Sequence, residues 1–519
     1  MNTLLTRLTS ALIPTIVLIV LVIAPAAAQE TEGNFDFAQV DTYLEELRAA
    51  GNLPGIALAI VRDGETVYTR GYGYAGPQDR PVSPETPMVI GSVSKSFTAL
   101  AIMQLVEAGK LDLDAPFSRY IPWFDRSETI TVRHLLTQTS GFSTFEGRKG
   151  FMGRSDDSQA FEKVARRMMR APLANPPGQE WMYSNANYSL LGLLVEVASG
   201  QSYEDYMSEH IFGPLGMTHT YTNLEEARAG GMSSGYVYAL GQPFSVSNLS
   251  YPRALLPAGY IISTAEDMGR YAAAMLGEDS TVISAAGLAE MQRPQAKVQF
   301  VSAGHYAFGW FIDEMAGQTM VWHSGDVPDF HGNVTLAPES GWGVVMLFNE
   351  NSTLDKRGMD TAAFHVMGIL MGYEPGSLAL PTLAVPNMYP AFMGVFVLAL
   401  VIQVALTARS VRTLRRWQNQ PQARPQSGFR RGLALLLPLA LNLGFAAFLL
   451  FGFLQSVMQL PLMTAVLFQP DIGILLAVLI GLALGWGLIR TLWAGVLLLR
   501  ADEPAYDTAL VRENAQILQ

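Results

Sequence analysis

Residues 55–61 form an unbroken apolar run, followed by Asp63-Gly64 and the β-rich 66–69. Two such runs around an Asp-Gly pair predict a β-hairpin. Much later, 306–312, 319–322, 333–336 and 343–348 again read as strands, with Gly and Pro between them. In the middle of the chain the period changes. Residues 92–107, 187–199 and 265–275 repeat apolar positions every three or four residues and predict helices. Gly109 and Gly200 stand where helix C-caps belong. Residues 37–49 predict a further helix packed on the sheet. Strands at both ends with helices between point to a single α+β domain over residues 29–372, its sheet joining the first and last segments.

Beyond Met371 the pattern alters. A linker with Pro375, Pro381 and Pro386 (373–390) leads into three uncharged apolar runs, 391–408, 432–454 and 472–489. Each is about long enough to cross a bilayer as a helix, so 391–499 reads as a transmembrane region in contact with lipid. The stretch 455–469 is apolar but interrupted by Pro461, which leaves three or four spans open. At the other end, Arg7, the apolar 11–23 and Ala26-Ala27-Ala28 read as a signal peptide, 1–28, cleaved after Ala28; an uncleaved anchor is the alternative. Between the first two apolar runs lie Arg409, Arg412, Arg415, Arg416, Arg424, Arg430 and Arg431 without an acid. Arginine-rich short loops stay cytoplasmic. The large domain is therefore expected outside the cell membrane, and with three spans the tail, 500–519, inside.

Composition narrows the picture. Of 519 residues, 50% are apolar and 15% charged. That charge share is below the roughly 25% of ordinary soluble domains, and the apolarity excludes a disordered chain. A net charge of −11 argues against a nucleic-acid partner. With no cysteine, disulfides, thiol catalysis and Cys-ligated metals are excluded.

Three short segments carry candidate chemistry. Ser92 and Lys95 stand one turn apart at a predicted helix start. A serine hydroxyl becomes a nucleophile when a base takes its proton, and a lysine is that base only when burial or nearby positive charge keeps it partly neutral. The plain alternative is a Ser92 N-cap with a solvated Lys95. Tyr183-Ser184-Asn185 precedes another helix. A tyrosine can relay protons and an asparagine amide can orient a carbonyl, or the two can simply pack and cap. His323-Ser324-Gly325 closes a predicted edge strand, where a glycine would admit a substrate backbone and a neighbouring N–H could face an oxyanion.

In this order the three segments resemble the penicillin-recognising serine hydrolases, and more closely the class C β-lactamase-like group of peptidases, carboxypeptidases and esterases. Further matching stretches are 132–141, Pro177-Gly178, 183–188, 214–217 and 263–267, so the resemblance spans roughly residues 35 to 370. It implies an antiparallel sheet flanked by helices plus a helical subdomain. It also implies that Ser92 carries an acyl group and that Lys95 and Tyr183 share the acid–base work, in an order left open. Asn185, His323, Ser324 and Gly325 would bind substrate, and the backbone N–H groups of Ser92 and Asp326 would form the oxyanion hole.

Two departures from the family pattern change the expected substrate. His323 stands where many relatives have lysine; a mostly neutral histidine is a poor carboxylate anchor and favours a peptidase or esterase over a β-lactamase. Asp326 and Asp329 follow the box, where acids at a pocket mouth would disfavour anions and could pair with His323 or His331. The other histidines lack metal-ligand spacing, so neither metal nor cofactor is expected. The expected protein is a membrane-anchored, extracytoplasmic serine hydrolase or acyltransferase acting on small-molecule or peptide acyl substrates such as cell-wall stem peptides or esters. The alternatives are a β-lactamase and a non-catalytic penicillin-binding receptor.

Overall fold

The computed structural model describes residues 35–76, 80–153, 157–246, 251–277, 280–298, 304–374, 377 and 387–499. The expected signal peptide, the tail and most of the linker lie outside them. Residues up to Asp41 separate as a unit of their own, of which the end, residues 35–41 with the first turn of α1 (Ala38–Gly51), falls among the described residues.

In the larger unit, β1 (Gly55–Arg62) and β2 (Glu65–Gly73) form the expected hairpin. Its turn residues Asp63 and Gly64 both have positive φ, as a two-residue hairpin turn requires. They join β3 (Ala296–Lys297), β4 (His305–Tyr306), β5 (Phe311–Met315), β6 (Gln318–Val327), β7 (Phe330–Ala337) and β8 (Trp342–Phe348) in one antiparallel sheet. The order is β2-β1-β8-β7-β6-β5-β4-β3, so the first hairpin closes onto the last strand, with Ile56 opposite Phe348 and Val61 opposite Gly343. Two local readings are corrected. The run 306–312 is split by a tight turn, Ala307 N–H to the Trp310 carbonyl, which an apolar run cannot signal. And β6 does not close at Trp322 but continues to Val327, placing His323-Ser324-Gly325 inside a strand.

Between the two strand groups, one 3₁₀ turn (Gly91–Val93) leads into α2 (Ser94–Glu107), the central helix. Its N-terminal ten residues are all buried, polar ones included. Each buried hydroxyl is satisfied by a main-chain carbonyl: Ser94 donates to Gly91 and Ser96 to Val93 within the same turn, and Thr98 to the distant Pro257. Against α2 packs α3 (Asn185–Ser199), capped by left-handed Gly200. On the sheet, α4 (Ala265–Leu276) covers β1, β2 and β8, and α5 (Met359–Leu370) covers β7 and β8.

Three of the described helices are long and apolar enough to cross a membrane: α6 (Tyr389–Asn419), α7 (Gly428–Val457) and α9 (Pro470–Leu499). Between the last two, α8 (Leu462–Phe468) has only seven residues, about 10 Å of helix, too short for a fourth span. The end of this bundle nearest α8 is tied to the hydrolase domain by polar contacts. Asp471 accepts hydrogen bonds from Tyr389 Oη and from the Leu240 N–H, and Gln469 donates to the Tyr238 carbonyl.

Asp329, expected beside Asp326 at a pocket mouth, instead sits in the β6–β7 turn and faces a separate cavity lined by Gly235 and Tyr251. It is 3% exposed, and burial pushes its carboxyl up to about 7. A folded carboxyl that keeps its proton to that pH binds more protons than the unfolded chain between about pH 4 and 7. Its contribution is therefore present in acid and lost as pH rises through about 7. Asp329→Asn is expected to flatten the fall in thermal stability of the wild type between pH 5 and 8, and to stabilise the fold at pH 8 by on the order of 2 kcal/mol. Parallel melting curves of the two proteins across that range check this.

Candidate active site

Ser92 and Lys95 meet as their spacing requires. Lys95 Nζ lies 2.9 Å from Ser92 Oγ, 2.9 Å from Asn185 Oδ1 and 2.5 Å from the Ala258 carbonyl oxygen. The lysine is wholly buried, so the N-cap-and-solvated-lysine alternative fails. None of its three partners is a carboxylate, and desolvation holds the amine well below the usual ammonium range. A neutral amine has two N–H donors and one lone pair. Two donors suit Asn185 and Ala258, which leaves the lone pair for the Ser92 O–H.

Tyr183 completes the cluster. Its ring centroid lies 4.7 Å from Lys95 Nζ. Burial raises its phenol well above the ordinary value, while a hydrogen bond with Ser92 pulls the other way. The segment is held by the matching stretch 132–141: Gln138 Oε1 accepts from the Ser184 N–H and from Asn187 Nδ2, and Ser140 donates to Asn187 Oδ1. Asn187 is thus a brace. Asn185 caps nothing and turns its amide oxygen to Lys95.

The third segment approaches from the sheet. β5 pairs with β6 only as far as Trp322, so from His323 onward β6 presents one open edge. Glycine is required there by the protein's own chain. A Cβ on Gly325 would stand 2.1 Å from the Ile90 carbonyl oxygen and 2.6 Å from Ser92 N; one on Gly91, at φ +57°, would meet Asp326 N at 2.6 Å. The two backbones therefore touch, which brings the Gly91–Ser92 and Gly325–Asp326 peptides together. His323 Nδ1 is 2.6 Å from the Ser324 carbonyl and Nε2 is 3.2 Å from Tyr306 Oη. With Nδ1 protonated the ring donates to the carbonyl and accepts from the phenol. Burial, with the Lys95 amine adding to it, pushes its pKa down to about 3.

Asp326 pairs with His331, one of the two partners expected for it, but the cleft also carries cations that were not expected. Burial alone would raise the Asp326 carboxyl, but Lys356 Nζ at 2.5 Å and His331 Nδ1 at 2.9 Å outweigh it and hold it ionised well below the usual carboxylate range. Asp326, His331 and Asp360 are close enough together to share a cation, and Lys356 supplies a positive charge among them. Arg148 is a second cation on the wall. Sequence reasoning missed Arg148, Lys356 and the Ala258 carbonyl; none falls in a recognisable pattern, and only folding brings them to Ser92. Arg148 and Lys356, together with Tyr183, Asn185, His323 and Ser324, line a cleft of about 490 Å³ around Ser92, while the Ala258 carbonyl reaches the site through Lys95.

Comparison with known proteins shows the family of the domain that carries this site. A family model described as Beta-lactamase matches residues 40–366. This chain belongs to that family. Its members are serine hydrolases, as the three sequence segments implied. Protein flp of Staphylococcus aureus (strain MW2) is 31% identical over 320 residues, 60% of this chain and 63% of that protein. Unguisins hydrolase ungD' of Aspergillus campestris is 28% identical over 362 residues, 66% of each. The chain thus spans just under two thirds of the length of these relatives. Among solved structures, the octameric penicillin-binding protein homologue from Pyrococcus abyssi superposes with a TM-score of 0.60 at 30% identity, over 66% of this chain and 79% of that one. D-alanine carboxypeptidase AmpC from Burkholderia cenocepacia, at 24% identity and TM-score 0.54 over 64% and 98%, shares the fold.

The contact between β6 and the Ser92 turn generates a prediction. Gly325→Ala forces the strand off the Gly91–Ser92 backbone and separates the two amides. Labelling of Ser92 by a fluorophosphonate is expected to slow about a hundredfold or more, the range for loss of an oxyanion donor, while far-ultraviolet circular dichroism stays that of the wild type.

Proposed function

We propose that this protein is a membrane-anchored serine acyl hydrolase whose catalytic domain faces away from the cytoplasm and which cleaves amide or ester bonds through a Ser92 acyl-enzyme. The 2.9 Å approach of a fully buried Lys95 amine to Ser92 Oγ carries this reading. Lys95 takes the serine proton as Oγ attacks the substrate carbonyl carbon. The developing oxyanion is held by the Ser92 and Asp326 N–H groups. Tyr183, kept as a phenol by burial, relays the proton from Lys95 to the leaving nitrogen or oxygen, and the acyl group remains on Ser92 until water or an amine accepts it. Asn185 orients both Lys95 and the acyl portion. The neutral His323 supplies no fixed cation, which favours a peptidase or esterase over a β-lactamase. The arginine-rich connection 409–431, far along α6 and α7 from the hydrolase domain, supports the orientation, as does the expected signal peptide.

Turnover of a D-Ala-D-Ala peptide, a short nitrophenyl ester and nitrocefin tests the reading, with Ser92→Ala as control. Ester or peptide turnover exceeding nitrocefin loss, abolished in Ser92→Ala, is the expected result. Persistent penicillin labelling without any turnover would instead mark a receptor. The pH profile tests the base. Lys95 acts only when neutral, so kcat/KM is expected to fall on the acid side and to reach its plateau well below the ordinary lysine pKa. Lys95→Arg, which cannot give up its proton, is expected to lose about 10²- to 10⁴-fold at every pH.

A further inference from the structure

The cleft has a second wall that the hydrolase domain does not supply. Val457, Met458, Leu460 and Phe468, from the end of α7 through α8, face Ser92 and Tyr183 across it, and all four are apolar. The connection between the second and third apolar helices is fixed in place there. Arg148, itself on the cleft wall, donates to the Met458 and Gln459 carbonyls at 2.8 and 3.3 Å. Phe468 sets its ring edge-on against Phe151, centroids 4.9 Å apart. This apolar wall does not end at the cleft. Val457 is 70% exposed and Phe451, earlier on α7, is 61% exposed, so the apolar surface continues from the cleft onto the outside of the helix bundle. The hydrolase domain supplies the polar groups of the cleft, among them Tyr183, Asn185, His323 and Ser324, besides Phe151 and Phe311.

We infer that this connection is the chain-binding wall of the acyl site, and that the substrate is an amphiphile whose ester or amide sits at Ser92 while its aliphatic chain lies on Val457, Met458, Leu460 and Phe468. The proposal rests on the serine-hydrolase reading and names the substrate class for it. Leu460 and Phe468 are already packed into the protein, so a polar, soluble peptide would leave Val457 and the open part of Met458 facing water; an aliphatic chain arriving along the bundle surface covers them.

The test uses the full chain in phospholipid nanodiscs. Two ester series are compared from two to ten carbons: nitrophenyl acylates, which lengthen the acyl side, and alkyl acetates followed by acid release, which lengthen the leaving side. In one of the two, kcat/KM is expected to rise about 2- to 4-fold per methylene until the wall is covered. In the double variant Val457→Gln, Met458→Gln the rise with chain length should disappear. A flat chain-length profile in the wild type, or a rise that survives in the double variant, overturns the proposal while Ser92→Ala inactivity leaves the hydrolase reading intact. A double variant that cleaves short esters tenfold faster with a flat profile makes the connection a lid and also overturns it. Absence of all turnover and of Ser92 labelling overturns both readings. Should the double variant fail to fold, the wild type alone decides, through the ratio of Ser92 labelling rates by long-alkyl and by polar fluorophosphonates: a ratio near one overturns the proposal.

Discussion

An amine with no counter-ion in the middle of a protein is the constraint around which this fold is arranged. Lys95 is on the buried central helix, against which α3 packs and whose leading turn meets β6 and β7, and its tip meets a hydroxyl, an amide and a carbonyl. Leaving an ammonium there would require desolvating a full charge without a partner, and the amine lowers that cost by giving up its proton. The same burial that makes the charged form expensive makes the neutral form a base. Tyr183 obeys the inverse logic in the same environment, since burial disfavours its phenolate. Burial thus favours the neutral form of both groups, an amine able to accept a proton and a phenol able to donate one.

The sheet serves this site by what it brings up against α2. Because β1 pairs with β8, the strands from the two ends of the domain form one rigid surface, and β6 lies within it rather than at its rim. The free edge from His323 onward exists only because β5 stops at Trp322. An open edge inside a sheet is unusual, and beside it the chain leading into the Gly91–Val93 turn packs on the paired Gly325 and Gly332, where a Cβ on either would strike the Ile90 carbonyl.

Much of this was legible in the sequence. The Asp-Gly hairpin, the three helical runs and the Ser92, Tyr183 and His323 segments all announce themselves through local pattern. Three apolar runs likewise declare helices long enough to cross a membrane, although the helices extend past them to Tyr389, Val457 and Leu499. What stayed hidden has no local pattern. Arg148 and Met458 are 310 residues apart and join through a main-chain carbonyl, which carries no side-chain signature. Lys356 falls in a polar stretch that reads as a surface loop, and Asp329 reads as the twin of Asp326 until the turn sends it to the other side of β6. Periodicity reports which face of an element is buried, not which other element covers it.

The cations of the cleft illustrate how that covering sets its character. Many relatives place a lysine at the third segment; here the position holds a neutral histidine that bridges Ser324 and Tyr306. Positive charge enters from elsewhere but is engaged on arrival. Lys356 pairs with Asp326 and bonds Asn351, while Arg148 bonds the carbonyls that end α7. Each cation thereby fixes a piece of wall instead of presenting itself to a ligand. The strip left facing Ser92 consists of uncharged donors and acceptors: Tyr183, Asn185 and Ser324. Opposite it stands an apolar wall continuous with the helix bundle. A carbonyl whose one side is polar and whose other side is aliphatic satisfies both surfaces at once, whereas a fully charged ligand would have to compete with Asp326 for Lys356 or with main-chain carbonyls for Arg148.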